Sequence, residues 1–163
     1  MFHTYRATYF AMMANSNSAQ IFGTKISIDS SRIRVSSVLN KDVKQFGKKH
    51  LVDELEETCW NSDQGSPQWI SVELESPTEV CEIDMQFQGG FVGRDCSLEG
   101  RLEPGTDWVK LQDFYPQDKN GVQTFQLEAV RQKLHALKIV FNTSTDFFGR
   151  ITIYKLCLRG LHS

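Results

Sequence analysis

Apolar and polar positions alternate along most of this chain. Trp69-Ile70-Ser71-Val72-Glu73-Leu74 alternates strictly, with apolar residues on one face. Val80-Cys81-Glu82-Ile83-Asp84-Met85-Gln86-Phe87 repeats the pattern with period two. Arg32-Ile33-Arg34-Val35-Ser36-Ser37-Val38 alternates as well, as does Ile151-Thr152-Ile153-Tyr154 with Leu156 and Leu158. Leu137-Lys138-Ile139-Val140-Phe141 reads as a further strand. Side chains on a strand point to its two faces in turn, so this period marks half-buried antiparallel strands. Turn-forming clusters separate the runs: Asp63-Gln64-Gly65-Ser66-Pro67, Gln88-Gly89-Gly90, Glu103-Pro104-Gly105 and Asp118-Lys119-Asn120-Gly121. Short strands at such spacing predict an all-β sandwich. The one predicted helix is short, over Leu127–Leu134, and no internal repeat is visible.

The first 31 residues break the pattern. They hold three charged residues, Arg6, Lys25 and Asp29, and a linker-like Asn15-Ser16-Asn17-Ser18 stretch. Their aromatics, Phe2, Tyr5, Tyr9 and Phe10, follow no period that continues. One early arginine is too little for a mitochondrial presequence, and no secretory signal is evident. Composition therefore predicts a flexible extension over 1–31 and one folded domain over 32–163. A chain of 163 residues builds such a domain without staples.

Charge narrows the function classes. Eighteen basic and 20 acidic residues give a net charge of −2, which excludes a dominant basic field for nucleic acid. No apolar run is long enough for a membrane-spanning helix. Cys59, Cys81, Cys96 and Cys157 form no CxxC pair, so they are expected as reduced thiols inside the cell. Catalytic signatures are missing: there is no G-x-S-x-G nucleophile elbow and no Gly-rich phosphate loop. His3, His50, His135 and His162 are not spaced as a metal-binding pair.

Two charged clusters remain as candidates. Asp53-Glu54-Leu55-Glu56-Glu57 is an acidic loop, either a solvated turn or a source of hard oxygen ligands for calcium. Lys41, Lys44, Lys48, Lys49 and His50 surround Phe46. Interleaved basic and aromatic side chains on a loop suit an acidic surface, and equally form a solvated face.

Read together, Ser36-Ser37-Val38-Leu39-Asn40, Leu51-Val52-Asp53, Thr58-Cys59-Trp60 and Gln68-Trp69-Ile70-Ser71-Val72 resemble the discoidin, or coagulation-factor type C, superfamily. The T-x-W and Q-W-I elements carry the likeness, and the run from Arg150 to Gly160 matches the family's closing strand. The resemblance implies a galactose-binding-like jelly roll with Trp60 and Trp69 in its core. It also implies ligand loops at one end, matching Lys41–His50, Trp60–Gln68 and Gly89–Asp95 here. Phe46, Lys48, Lys49, Phe91 and Arg94 are then expected to face a partner, with Phe147, Phe148 and Arg150 as a second group. The structural calcium of many such domains maps to Asp53, Leu55 and Thr58. However, Tyr154 stands where the family has a glutamate ligand, and no cofactor is otherwise expected. Secreted members join the domain ends by a disulfide, and no cysteine lies near Arg32.

A narrower likeness is to a nuclear-receptor-associated family of this fold. Gln45-Phe46-Gly47-Lys48-Lys49-His50-Leu51, Glu56-Glu57-Thr58-Cys59-Trp60-Asn61-Ser62-Asp63, Asp113-Phe114-Tyr115-Pro116 and Thr145-Asp146-Phe147-Phe148-Gly149-Arg150 carry it. It implies a monomeric, non-enzymatic nuclear protein that binds an orphan nuclear receptor of the testicular type and represses its transcription. No direct nucleic-acid contact is implied. A carbohydrate- or phospholipid-binding module and a subunit of a larger intracellular complex are the alternatives.

Overall fold

The computed structural model describes residues 23–128 and 131–161. Nine strands are defined there, and all their pairings are antiparallel. They are β1 (Thr24–Lys25), β2 (Ile33–Val35), β3 (Trp60–Asn61), β4 (Gln68–Phe87), β5 (Cys96–Arg101), β6 (Val109–Phe114), β7 (Gly121–Gln126), β8 (Leu134–Phe141) and β9 (Thr152–Leu161). The two strands expected over 69–74 and 80–87 are one continuous strand, β4. Its first half lies between β2 and β8, and its second half between β9 and β7. Pairing with β8 slips between Glu73 and Thr78, around Pro77, which cannot donate to a ladder. At that corner β4 passes from one sheet to the other, so a single strand belongs to both layers of the sandwich.

The first sheet runs β2-β4-β8-β5-β6, and the second places β9 and β7 on either side of β4. Between them lie the apolar faces that the alternation predicts: Ile33, Ile70, Val72, Ile83, Met85, Phe87, Leu98, Ile139 and Ile153. Trp60 is fully buried, 6.4 Å from the Phe141 ring, while Phe87 meets Phe141 edge-on at 5.9 Å. A buried indole needs an acceptor, and Trp60 Nε1 donates to the Ser37 carbonyl at 2.9 Å.

Three expectations change. Trp69 is half-buried on the outer face of the first sheet, beneath Lys138 Nζ at 4.9 Å. Its position follows from the alternation itself, since Ile70, Val72 and Leu74 take the inner face. Leu127–Leu134 is not a helix. Leu127, Glu128 and Arg131–Lys133 are irregular and Leu134 opens β8, while residues 129 and 130 lie outside the described residues. Lastly, residues 23–31 pack with the domain. Thr24 and Lys25 pair with Gly160 and Arg159, and Ile26 is buried in the core. Composition missed this because a two-residue edge strand leaves almost no periodic signal. The rest of the expected extension, 1–22, lies outside the described residues.

Candidate functional site: an aromatic and arginine loop cluster

The loop between β8 and β9 is built around one ion pair. Arg150 Nε lies 3.0 Å from Asp146 Oδ2, and Nη2 lies 3.3 Å from Oδ1. The Arg150 backbone N–H also donates to Asp146 Oδ2, at 3.1 Å. A planar guanidinium suits such two-point contact with a carboxylate. Hydrogen bonding from Arg150 outweighs the opposing effect of burial, and holds the Asp146 carboxyl below its usual range. Gly149 closes the turn at φ 85°, where a Cβ would sit 2.7 Å from the Gly65 carbonyl. Only glycine meets both demands, so this loop is locked against Asp63–Pro67.

Phe147 and Phe148 project from this locked turn. Their rings meet edge-on at 5.3 Å and remain 94% and 53% exposed. Arg150 lies under them, 5.7 Å from the Phe148 ring and 5.2 Å from Phe91. The Gln88–Asp95 loop is fastened alongside: Val92 N–H donates to Thr145 Oγ1 at 3.0 Å, and Arg94 N–H to the Thr143 carbonyl at 2.9 Å. The Arg94 side chain is exposed. The third loop is held by Gln68. Its Oε1 accepts from Ser37 Oγ at 2.8 Å, and its Nε2 donates to the Gly65 carbonyl at 2.9 Å. The glutamine of Q-W-I is therefore a loop anchor, buried at the start of β4.

Phe91, Arg150 and the Phe147–Phe148 pair thus come together, joining two groups that the sequence treats separately, with the Arg94 side chain exposed on the same Gln88–Asp95 loop as Phe91. Phe46, Lys48 and Lys49 do not join them. Among the described residues, no hydrogen bond, ion pair or ring contact links the two sets. Phe46 ends a short helix, Val43–Phe46, capped by Asp42 Oδ1 accepting from Gln45 N–H at 3.0 Å. Beside it lies an apolar hollow of about 500 Å³, lined by Val35, Val38 and Val43 and by Lys44, Lys48 and Lys49. These lysines bring their carbon stems to an apolar wall.

Asp53, Leu55 and Thr58 lie together in one loop, joined by hydrogen bonds through the Asp53 carboxylate. Asp53 Oδ2 accepts from Thr58 Oγ1 at 2.6 Å and faces His50 Nδ1 at 2.9 Å. Asp53 Oδ1 accepts from Leu55 N–H at 3.0 Å. Each Asp53 carboxylate oxygen is thus engaged by at least one hydrogen-bond partner within the protein. Burial raises the Asp53 carboxyl, yet hydrogen bonds from Thr58, His50 and Leu55 outweigh it and set the group below its usual range. Tyr154, in place of the expected glutamate, bonds Gln88 Oε1 through its hydroxyl at 3.2 Å. No cluster of three metal-ligating side chains occurs among the described residues.

The four cysteines are free. Burial pushes the Cys96 thiol up to about 12 and raises Cys59 and Cys81, so these three are poor nucleophiles. No described helix is long and apolar enough to cross a membrane.

Comparison with known proteins agrees with this architecture. The family described as F5/8 type C domain matches residues 32–153. The chain is 54% identical over 127 residues to the nuclear receptor 2C2-associated protein of Xenopus laevis, covering 78% of this chain and 91% of that protein. To the human protein of the same name it is 51% identical over 128 residues, covering 78% and 89%. Among solved structures, an F5/8 type C domain from Bacteroides fragilis superposes with a TM-score of 0.70 at 19% identity, over 85% of this chain and 99% of that one. A chitosan-binding module of a Paenibacillus chitosanase/glucanase gives 0.65 at 17% identity, over 78% and 93%. The sandwich, its Q-W-I anchor and these relatives place the chain in the F5/8 type C domain family, among the nuclear receptor 2C2-associated proteins.

Proposed function

We propose that this protein is a monomeric, non-enzymatic adaptor that binds an orphan nuclear receptor of the testicular type in the nucleus and lowers its transcriptional output. The observation that carries the reading is the Phe147–Phe148 pair, two exposed rings on a turn fixed by Asp146, Arg150 and Gly149. Large apolar side chains held rigidly in solvent favour a protein partner, because ordering them costs little further entropy on binding. Aromatic and arginine side chains supply most hot-spot energy at interfaces, and Arg150 lies against both Phe148 and Phe91, with Arg94 exposed on the adjoining loop. The names of the relatives point to the receptor as that partner. Phe46, Lys48 and Lys49 then form a separate patch that is not needed for this contact.

The test is a binding assay between the full chain and the purified receptor, with and without EGTA. Phe147→Ser together with Phe148→Ser is expected to weaken binding about 100-fold, since two hot-spot aromatics carry about 1–2 kcal/mol or more each. Phe46→Ala should leave it unchanged. EGTA should change neither affinity nor thermal midpoint, because Asp53 is served by protein donors. Undiminished binding by the double variant would place the interface elsewhere. Retention on immobilised chitosan or galactose, or flotation with lipid vesicles, would instead support a carbohydrate- or phospholipid-binding module. Recovery only within a stable high-mass assembly would support a subunit role.

A further inference from the structure

A second candidate surface lies on the outer face of the first sheet, away from the Phe147–Phe148 turn. Strand register builds it. Arg34 pairs with Ser71, Ser71 with Lys138, and Lys138 with Glu99, so these side chains cross the sheet in one row. The neighbouring row runs from Glu73 through Ala136 to Arg101. Ser71 and Ala136 are small, and they floor a groove of about 270 Å³ walled by Trp69 and Trp108. Arg32, Arg34, Arg101 and Lys138 line it against a single lining acid, Glu73.

Positive charge is concentrated here in a chain whose net charge is −2. Its neutralisation within the protein is weak. Arg32 reaches Glu73 only at 4.0 Å and Lys138 reaches Glu99 only at 3.9 Å. Arg34 is exposed and pairs with no carboxylate among the described residues. Arg101 spends its Nε on the Thr106 carbonyl and lays its guanidinium over Trp108 at 4.2 Å. Lys138 stands between the indoles, 4.9 Å from Trp69 and 5.7 Å from Trp108. The rings therefore hold the cations in place by cation–π attraction and shield them on one side from water. Cations fixed beside low-dielectric walls attract carboxylates more strongly than the same groups on mobile stems.

From this charge complementarity we infer that the groove is a docking site for an acidic, extended peptide segment of a partner protein, its Asp and Glu carboxylates bridging Arg34, Lys138 and Arg101. The arrangement disfavours a nucleic acid. Single strands bind by stacking bases on open aromatic faces, and here Lys138 and Arg101 already cover the indoles. A carboxylate reaches the same cations from above without displacing them.

The test uses the full chain and a fluorescein-labelled hexaglutamate peptide, read by anisotropy at low and moderate salt. Wild type should bind, and more weakly as salt rises. Arg34→Glu and Lys138→Glu should each weaken binding by about tenfold or more, as charge reversal at a close pair does. Lys119→Glu, on a turn between β6 and β7, should change little. Trp indole N–H signals give a reading that needs no variant. Of three tryptophans, Trp69 and Trp108 should shift on titration with the peptide while buried Trp60 stays fixed. Binding that survives both reversals, or a titration that moves none of the indole signals, would overturn the proposal. So would tighter binding of an oligothymidylate than of hexaglutamate, which would make the groove a nucleic-acid site.

Discussion

On the outer face of the second sheet, Glu82 and Asp84 have side chains only 9% and 11% exposed, and their charges are answered from within the sheet. Arg159 Nη2 lies 2.8 Å from Asp84 Oδ2 and Nη1 lies 4.0 Å from Glu82 Oε2. Gln126 Nε2 donates to Glu82 Oε1 at 2.6 Å and Thr124 Oγ1 to Asp84 Oδ1 at 2.7 Å. Across the sandwich, the groove of Trp69 and Trp108 has the reverse character: an excess of cations and no such closure. Both faces are built from the polar half of an alternating strand, and β4 supplies residues to both. The difference lies in cross-strand register. On β4 and β9 opposite charges meet side by side, with neutral Thr124 and Gln126 of β7 donating from the other flank, whereas Arg34, Ser71 and Lys138 stand in one row that meets a carboxylate only at its far end, Glu99. A network whose carboxylates are hydrogen-bonded within the sheet stabilises the fold, even with Arg159 Nε buried and unpartnered among the described residues, and cations left unanswered keep their attraction for something outside it.

The sharpest way to break that contrast is Arg159→Leu. It leaves two buried carboxylates facing each other without their cation. Fully buried pairs lose about 3–5 kcal/mol on removal of one member. The Arg159 side chain is itself 41% exposed, so a loss of about 2 kcal/mol is expected. Urea denaturation at neutral pH measures it through the midpoint at unchanged slope. A loss within experimental error would show that the network is surface decoration, and the two faces would then be alike.

The alternation made most of this sandwich legible. Strict period two over 69–74 and 80–87 placed both halves of β4, and the same signal found β2, β8 and β9. It does not find β5, which is buried on both faces, nor β6 and β7, whose exposed Val109 and Val122 blur the two faces, nor the two-residue β1 and β3. Leu127–Leu134 looked helical by spacing, but Leu134 is held in the core by β8 pairing, and tertiary contacts decided. At the loop end, the family resemblance points to the loops and residue type picks out Phe46, Lys48, Lys49, Phe91 and Arg94, with Phe147, Phe148 and Arg150 as a second group. The union of Phe91 with that second group depends on Asp146 and on Gly149 packing against Gly65, which no local pattern reveals. The groove was hidden by one assignment. The family resemblance implies Trp69 in the core, although its own alternation sets it opposite Ile70, and Trp108 joins it only through folding.

A smaller effect sharpens the comparison at the Asp53 loop, another closed network. Hydrogen bonds hold the Asp53 carboxyl below its ordinary value in the folded state. A depressed carboxyl contributes stability that is full above the unfolded value of about 3.9 and is lost as pH falls through the folded one. Wild type should therefore lose this contribution below about pH 4. Asp53→Asn should cost about 1 kcal/mol at pH 7 and should flatten the decline between about pH 4 and 2. Thermal unfolding across that range checks it. Asp146 titrates in the same direction, so some acid sensitivity should persist in the variant. An acid profile identical to wild type would mean that Asp53 is not engaged as its hydrogen bonds indicate.

The smallest expected effect is the most discriminating. Arg34→Ala should change stability by less than about 0.5 kcal/mol, as exposed substitutions without specific partners do. Arg34 is exposed at the rim of the groove and no described carboxylate pairs with it. If the two outer faces were equivalent, its removal would resemble that of Arg159, and the denaturation midpoint would move by a comparable amount. If instead Arg34 is kept for a ligand, the fold should barely register its loss while affinity for an acidic peptide falls. Stability and binding then separate at one residue and coincide at the other. Unfolding curves and anisotropy titrations of the two variants, measured under the same conditions, test that separation directly.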